Sequence, residues 1–193
     1  MTSVDKARIS DSVGAVLGSV KTKPNRISEH RGSIGHIHAV LRGPDGKVKF
    51  EERGSNLVTD YGDEFLATRA YDNAVNIVTG MKLGTGSTAA AKNGAGATLV
   101  TYISGSQEAL DAAATDASLG AGAGHRVQYV CTWAAGDVTN SAIREVTLTN
   151  QTALADDTGS AGVTVARFVF SSAIDKQAGD SLEVTWNIDI LGA

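Results

Sequence analysis

Few residues in this chain are of types that could do chemistry, and they are scattered. His36 and His38 lie two positions apart, which on an extended chain puts both imidazoles on one side, as a metal site requires. A third and fourth ligand must come from elsewhere. Cys131 falls in an apolar row, and His30 and His125 adjoin polar or Gly-rich connections. The pair therefore reads as a polar strand face, and no metal is expected.

Gly84-Thr85-Gly86-Ser87-Thr88-Ala89 follows an expected strand and superficially fits a dinucleotide fingerprint, whose use is to aim the donors of a helix N-terminus at a pyrophosphate. Asn93, Gly94 and Gly96 forbid a long helix there, and strands do not alternate with helices around it, so the segment is expected to be a loop without a cofactor. Asp63-Glu64 and Asp156-Asp157 are neighbours in sequence, which does not set the fixed carboxylate separation that glycoside hydrolysis needs. The first pair suits the opening turn of a helix, where negative charge meets the dipole, and the second suits a turn. Cys131 and His125 fall on one strand, ~20 Å apart if extended, too far for a nucleophile and its base. Trp133 and Trp186 have faces that could stack on a sugar or a base, but both sit in apolar rows and read as packing. Catalysis is not expected.

The elements around these residues are mostly strands. Gly35, Ile37, Ala39 and Leu41 alternate with His36, His38, Val40 and Arg42; Arg42 to Lys47 supplies turn chemistry, and Val48 to Glu52 leads a second strand away. Thr59 or Asp60 can cap a short helix that carries Tyr61, Phe65, Leu66 and Ala70 and ends near Asp72-Asn73. Strands are expected over Asn76 to Leu83 and Thr98 to Ile103, and Gly-rich loops over Gly84 to Ala97 and residues 105–124. Farther on, three rows share faces: Val127, Tyr129, Cys131 and Trp133; Ala142, Arg144, Val146 and Leu148; and Thr164, Ala166, Phe168 and Phe170. Leu182, Val184, Trp186, Ile188 and Ile190 alternate with polar residues without an error, so a slip of one residue would turn the whole row to water. The pattern predicts a mainly β domain over residues 32–193: a β-sandwich, jelly-roll-like or Greek-key, with one short helix.

Residues 1–31 form a different unit, an extended or partly helical arm. Ile9, Val13, Val16, Leu17 and Val20 make one apolar helical stripe, and Lys23-Pro24 stops any helix before a polar connector. The arm's six basic side chains against three acidic ones give it +3 and leave the remainder at −7, within a net charge of −4. A body of that sign repels phosphate backbones, which argues against nucleic acid. No run approaches the ~20 apolar residues of a membrane-spanning helix. The longest run, Val13 to Val20, is broken by Gly14, Gly18 and Ser19, so no membrane span is expected. With a single cysteine in 193 residues no disulfide can form within the chain, and at this length a core needs none.

The order of segments carries one resemblance. The hairpin with Gly43-Pro44-Asp45-Gly46-Lys47, then Asn56 to Gly62, a short helix, Met81 to Thr88, Ile143-Arg144-Glu145-Val146, Ala166-Arg167-Phe168 and the closing Gly179 to Trp186 resembles a recurrent pattern in small virion structural proteins of tailed bacteriophages. Such domains occur as capsid decoration (cement) proteins and in tail or fibre components. The resemblance implies a non-enzymatic virion part at the capsid surface, made in the host cytoplasm and present as a homo-oligomer, trimer or dimer. It would bridge neighbouring major capsid subunits, with that protein and copies of itself as partners. The alternative it implies is a tail, baseplate or fibre component contacting other tail proteins or a host receptor; a carbohydrate-binding module using exposed aromatics is a third reading. The candidate partner-binding residues are on the arm: Arg8, Ile9, Val13, Leu17, Lys21, Lys23 and Arg26.

Overall fold

Alternating burial defines the strands that carry the core. Along the final strand Leu182, Val184, Trp186 and Ile188 are all fully buried, whereas Glu183 is exposed and Thr185 and Asn187 are half-buried. The computed structural model describes residues 33–190. The arm expected over residues 1–31, with all seven of its candidate contact residues, lies outside the described residues.

The chain runs β1 (Ser33–Arg42), β2 (Val48–Val58), α1 (Asp60–Arg69), β3 (Gly80–Gly84), β4 (Glu108–Ala109), β5 (Thr115–Ser118), β6 (His125–Trp133), β7 (Asn140–Thr149), β8 (Thr164–Lys176) and β9 (Ser181–Ile190). The strands form one hydrogen-bonded series in the order β4-β3-β7-β8-β2-β1-β9-β6-β5, antiparallel at every junction. This sheet curls into a half-barrel around a single core, to which Ile37, Met81, Trp133, Leu148, Phe170 and Trp186 contribute from six different strands. The mainly β class with one short α-helix is what the described residues adopt.

The curl is made at β2. Its residues as far as Asn56 pair with β1, but Leu57 and Val58 pair with Arg167 and Ala166 of β8. Gly54 lies at this corner, where a Cβ would stand 2.7 Å from the Phe168 ring, so only glycine lets that ring lie on the backbone. Phe168, Phe170 and Phe50 then meet edge to face, with centroids 5.3 and 6.1 Å apart.

Helix α1 covers one end of β8. Thr59 caps it, accepting the Gly62 N–H at 2.9 Å and donating its hydroxyl proton to the Thr164 carbonyl at 2.6 Å. Gly62 lies so close that a Cβ would fall 2.1 Å from the Val165 carbonyl oxygen. Phe65 is buried beneath the helix, whereas Ala70, expected on the same face, is exposed.

Several expectations are corrected. Thr98 to Ile103 is not a strand, because the Val100 and Thr101 N–H groups donate to the Glu145 carboxylate instead of to a ladder. Residues 105–124 are not all loop: β4 and β5 lie there, and β5 is an exposed edge strand held to β6 by backbone pairing, with no apolar alternation to betray it. The strand expected from Asn76 begins only at Gly80, and β2 continues six residues past Glu52 to Val58. On β7 it is Ile143, not Ala142 or Arg144, that joins the core with Val146 and Leu148. The pairing with β8 shifts register between Ile143 and Glu145, and that irregularity reverses which face the odd-numbered residues take. Ile190, the end of the apolar row, is 47% exposed.

Opposite the core, on the outer face of β7 and β8, lies a fully buried ion pair. Arg167 donates to Glu145 through Nε at 3.0 Å and Nη2 at 2.6 Å, and both side chains have zero exposure. The loop after β3 makes the cover: Gly86, Val100 and Thr101 N–H groups donate to the same carboxylate at 2.9–3.0 Å, while Arg167 Nη1 donates to the Gly96 carbonyl at 3.1 Å. Losing one member of a buried pair costs about 3–5 kcal/mol, because the other charge is left uncompensated. Arg167→Met should therefore lower the unfolding free energy obtained from urea titration by that order. The joint replacement Glu145→Leu with Arg167→Met should not restore it, since it leaves the Gly86, Val100 and Thr101 amides without an acceptor. Full recovery in the double variant would show that the loop does not depend on the carboxylate.

Candidate functional site

The residues singled out for chemistry are engaged within the fold. His36 and His38 share the outer face of β1, but each turns to a carboxylate. His36 Nε2 lies 3.7 Å from Asp189, which Arg126 also grips at 2.7 and 2.9 Å; His38 lies 2.8 Å from Glu51, which Arg53 also meets at 3.1 Å. The Arg126 guanidinium holds the Asp189 carboxyl below its usual range, and hydrogen bonds from His38 and then Arg53 do the same for Glu51. Among the described residues no group of three or more His, Cys, Asp and Glu side chains is placed to hold a metal ion.

The glycine-rich segment after β3 is a loop, and its Gly86 amide is occupied by Glu145 instead of being free for a phosphate. The acid pairs separate by function. Asp63 stands in the first turn of α1, paired with Lys92. Asp156 accepts the Gly105 N–H at 2.7 Å and the Ser104 hydroxyl, and Asp157 accepts the Lys82 ammonium at 2.7 Å, which holds the Asp157 carboxyl low. Sequence reading missed Lys82, whose side chain is only 1% exposed and which also donates to Gln151 at 2.7 Å. It missed Glu145 and Arg167 as well, although opposite charges amid apolar strand rows were the available clue.

Trp133 and Trp186 are both fully buried, and Trp133 Nε1 donates to the Ser106 carbonyl at 2.9 Å, so neither offers a stacking face. Cys131 is buried in the core, and His125, at the other end of β6, is exposed beside Asp116. No helix among the described residues is long and apolar enough to cross a membrane.

The surface also offers a mostly apolar cleft of about 570 Å³. Phe65, Leu66 and Arg69 of α1, Tyr129 of β6, Ile77 and Leu110 line it, with the exposed Ile190 of β9 at its rim. Ile77 is 63% exposed and Ile190 is half exposed, unusual for large aliphatic side chains lining one concavity. Ser33, the first residue of β1, pairs with Ile190, so the segment that precedes the sheet begins at this rim. Comparison of the chain with protein-family models, with characterised proteins and with solved structures returned no match.

Buried acids and paired carboxylates make stability depend on pH at both extremes. Burial pushes the Cys131 thiol up, with Asp111 and Glu108 adding to it, and burial pushes Tyr129 up to about 12. In the folded state both keep protons that the unfolded chain loses above ~8.5 and ~10, so stability falls as pH rises through that window. Asp157, Asp180 and Asp189 are held low, chiefly by Lys82, Lys49 and Arg126, so their contribution is present above ~3.9 and is lost as pH falls through their folded values. Urea midpoints measured from pH 3 to pH 11 should trace a dome, and Cys131→Ala should flatten the limb just above pH 8.5. Rapid labelling of the native thiol by an aromatic disulfide at pH 8 would contradict its burial.

Proposed function

We propose that this chain is a non-enzymatic structural protein of a tailed-phage virion that decorates the capsid and stabilises it by bridging neighbouring major capsid subunits. The observation that carries the reading is the division of resources. The chemistry-bearing side chains of the body are committed to its own packing and ion pairs, whereas apolar and charged surface is left for association. The body's −7 against the arm's +3 favours contact of the arm with an acidic protein surface. The order of segments that resembles phage virion proteins supports the same reading.

In finer detail we read the half-barrel as two layers, β5-β6-β9-β1-β2 against the end of β2 with β8-β7-β3-β4, hinged where β2 changes partner. A sandwich of this kind suits a part that must be stiff, because its contacts are then set by the shell's symmetry and not by induced folding. The arm residues Arg8, Ile9, Val13, Leu17, Lys21, Lys23 and Arg26 are the bridging elements. Binding only to the assembled shell stabilises it by RT ln(1 + [L]/Kd), about 2.7 kcal/mol per site at a hundredfold excess over Kd.

The full chain mixed with empty expanded capsids should co-sediment to saturation and raise the capsid melting temperature. Reversing Lys21, Lys23 and Arg26 to Glu should weaken that binding at least tenfold. A wild-type chain that neither binds capsids nor shifts their melting would favour the alternative, a tail, baseplate or fibre component.

A further inference from the structure

We propose that the apolar cleft between α1, β6 and the end of β9 is the seat for the apolar stripe of the N-terminal arm of a second copy of this chain. The inference rests on the bridging role proposed for the arm and names the surface its apolar side meets. The basic side chains of the arm then remain available to the coat.

Three features point to this occupant. The cleft is bordered by Phe65, Leu66, Ile77, Leu110, Tyr129 and Ile190, with Ile77 and Ile190 left 63% and 47% exposed, so an apolar partner removes surface that is unfavourable in water. The stripe Ile9, Val13, Val16, Leu17 and Val20 has the complementary need, since a one-sided apolar helix in a glycine-interrupted segment is stable only against another surface. As a helix these residues would span ~18 Å, a length suited to one concavity. The net charges agree as well: an arm at +3 is drawn to a body at −7 and repelled by another arm, and Arg69, the charged residue lining the cleft, has its guanidinium engaged by the Asn73 and Val75 carbonyls.

The geometry of the connection allows the exchange. Ser33 begins β1 opposite Ile190, so each arm starts at the rim of its own cleft. The twelve residues from Lys21 to Gly32 reach at most ~40 Å when extended, about the width of a body of this size. Two copies side by side can therefore each place a stripe in the other's cleft, giving a reciprocal, self-complementary contact. Held together on a shell, they gain from the high local concentration of the arms.

The test uses full-length chains. A Val13→Cys chain mixed with an Ile77→Cys chain under mild oxidation should form a disulfide-linked pair at least tenfold faster than Val13→Cys with Lys47→Cys, which places the second thiol on the distant hairpin turn. Equal rates overturn the proposal. Native Cys131 is buried and stays out of the reaction. A single chain carrying both Val13→Cys and Ile77→Cys should link between copies; closure within one chain at low micromolar concentration overturns the exchange in favour of an arm stored on its own body. In sedimentation velocity the wild type should self-associate, and Val13→Asp with Leu17→Asp should weaken this at least tenfold; a wild type that stays monomeric also overturns it. Linked copies that fail to bind capsids would uphold the seat while removing the cement role, and capsid binding without the Val13–Ile77 link would do the reverse.

Discussion

The buried pairing of Glu145 with Arg167 is the constraint on which the described structure turns. A carboxylate removed from water needs every lone pair engaged, and here a guanidinium and three backbone amides engage it. Those amides belong to the loop that follows β3, a segment rich in Gly, Ala, Ser and Thr with little apolar area of its own. The loop is therefore held by Glu145 of β7 and, through the Gly96 carbonyl, by Arg167 of β8, and in turn it keeps water from the pair. The same segment reaches α1 through Lys92 and Asn93, which bond to Asp63 and Asp60. One ionic contact thus ties the outer face of β7 and β8 to the helix that forms one wall of the cleft.

A second consequence concerns charge. Lys82, Lys176, Asp180 and Asp189 are buried or nearly so, and each has a partner: Asp157, the Ala134 and Asp137 carbonyls, Lys49, and Arg126 respectively. Ionised groups used in this way specify how strands and turns meet, because a charge removed from water must find its partner. The cleft combines a volume of about 570 Å³ with a mostly apolar lining, and β1 begins beside it.

Much of the fold was legible in the sequence wherever one face of a strand is buried and the other is wet. The rows of β1, β6 and β9 alternate over most of their length, broken by buried Val40 in β1 and by buried Asp189 and exposed Ile190 at the end of β9, and the turn at Gly43 to Lys47 and the cap at Thr59 announce themselves by residue type. Legibility failed where backbone bonding does not follow hydrophobicity. The edge strand β5 has no buried side chain, Val100 and Thr101 have strand-like sequence but give their amides to a distant carboxylate, and an irregularity in β7 exchanged the faces of Ile143 and Arg144.

Residue order alone sufficed to predict a mainly β body with a capped helix and to place Cys131, Trp133 and Trp186 in apolar rows that pack, and composition divides the charge into +3 over residues 1–31 and −7 over the rest. Periodicity and composition act locally, and these features are local. The strand order, the corner in β2, the meeting of Glu145 with Arg167 across strands and the cleft beside the start of β1 emerge with the folded arrangement. Each depends on residues far apart in the chain being brought together, and burial pattern along a single strand carries no record of which strand lies next to it.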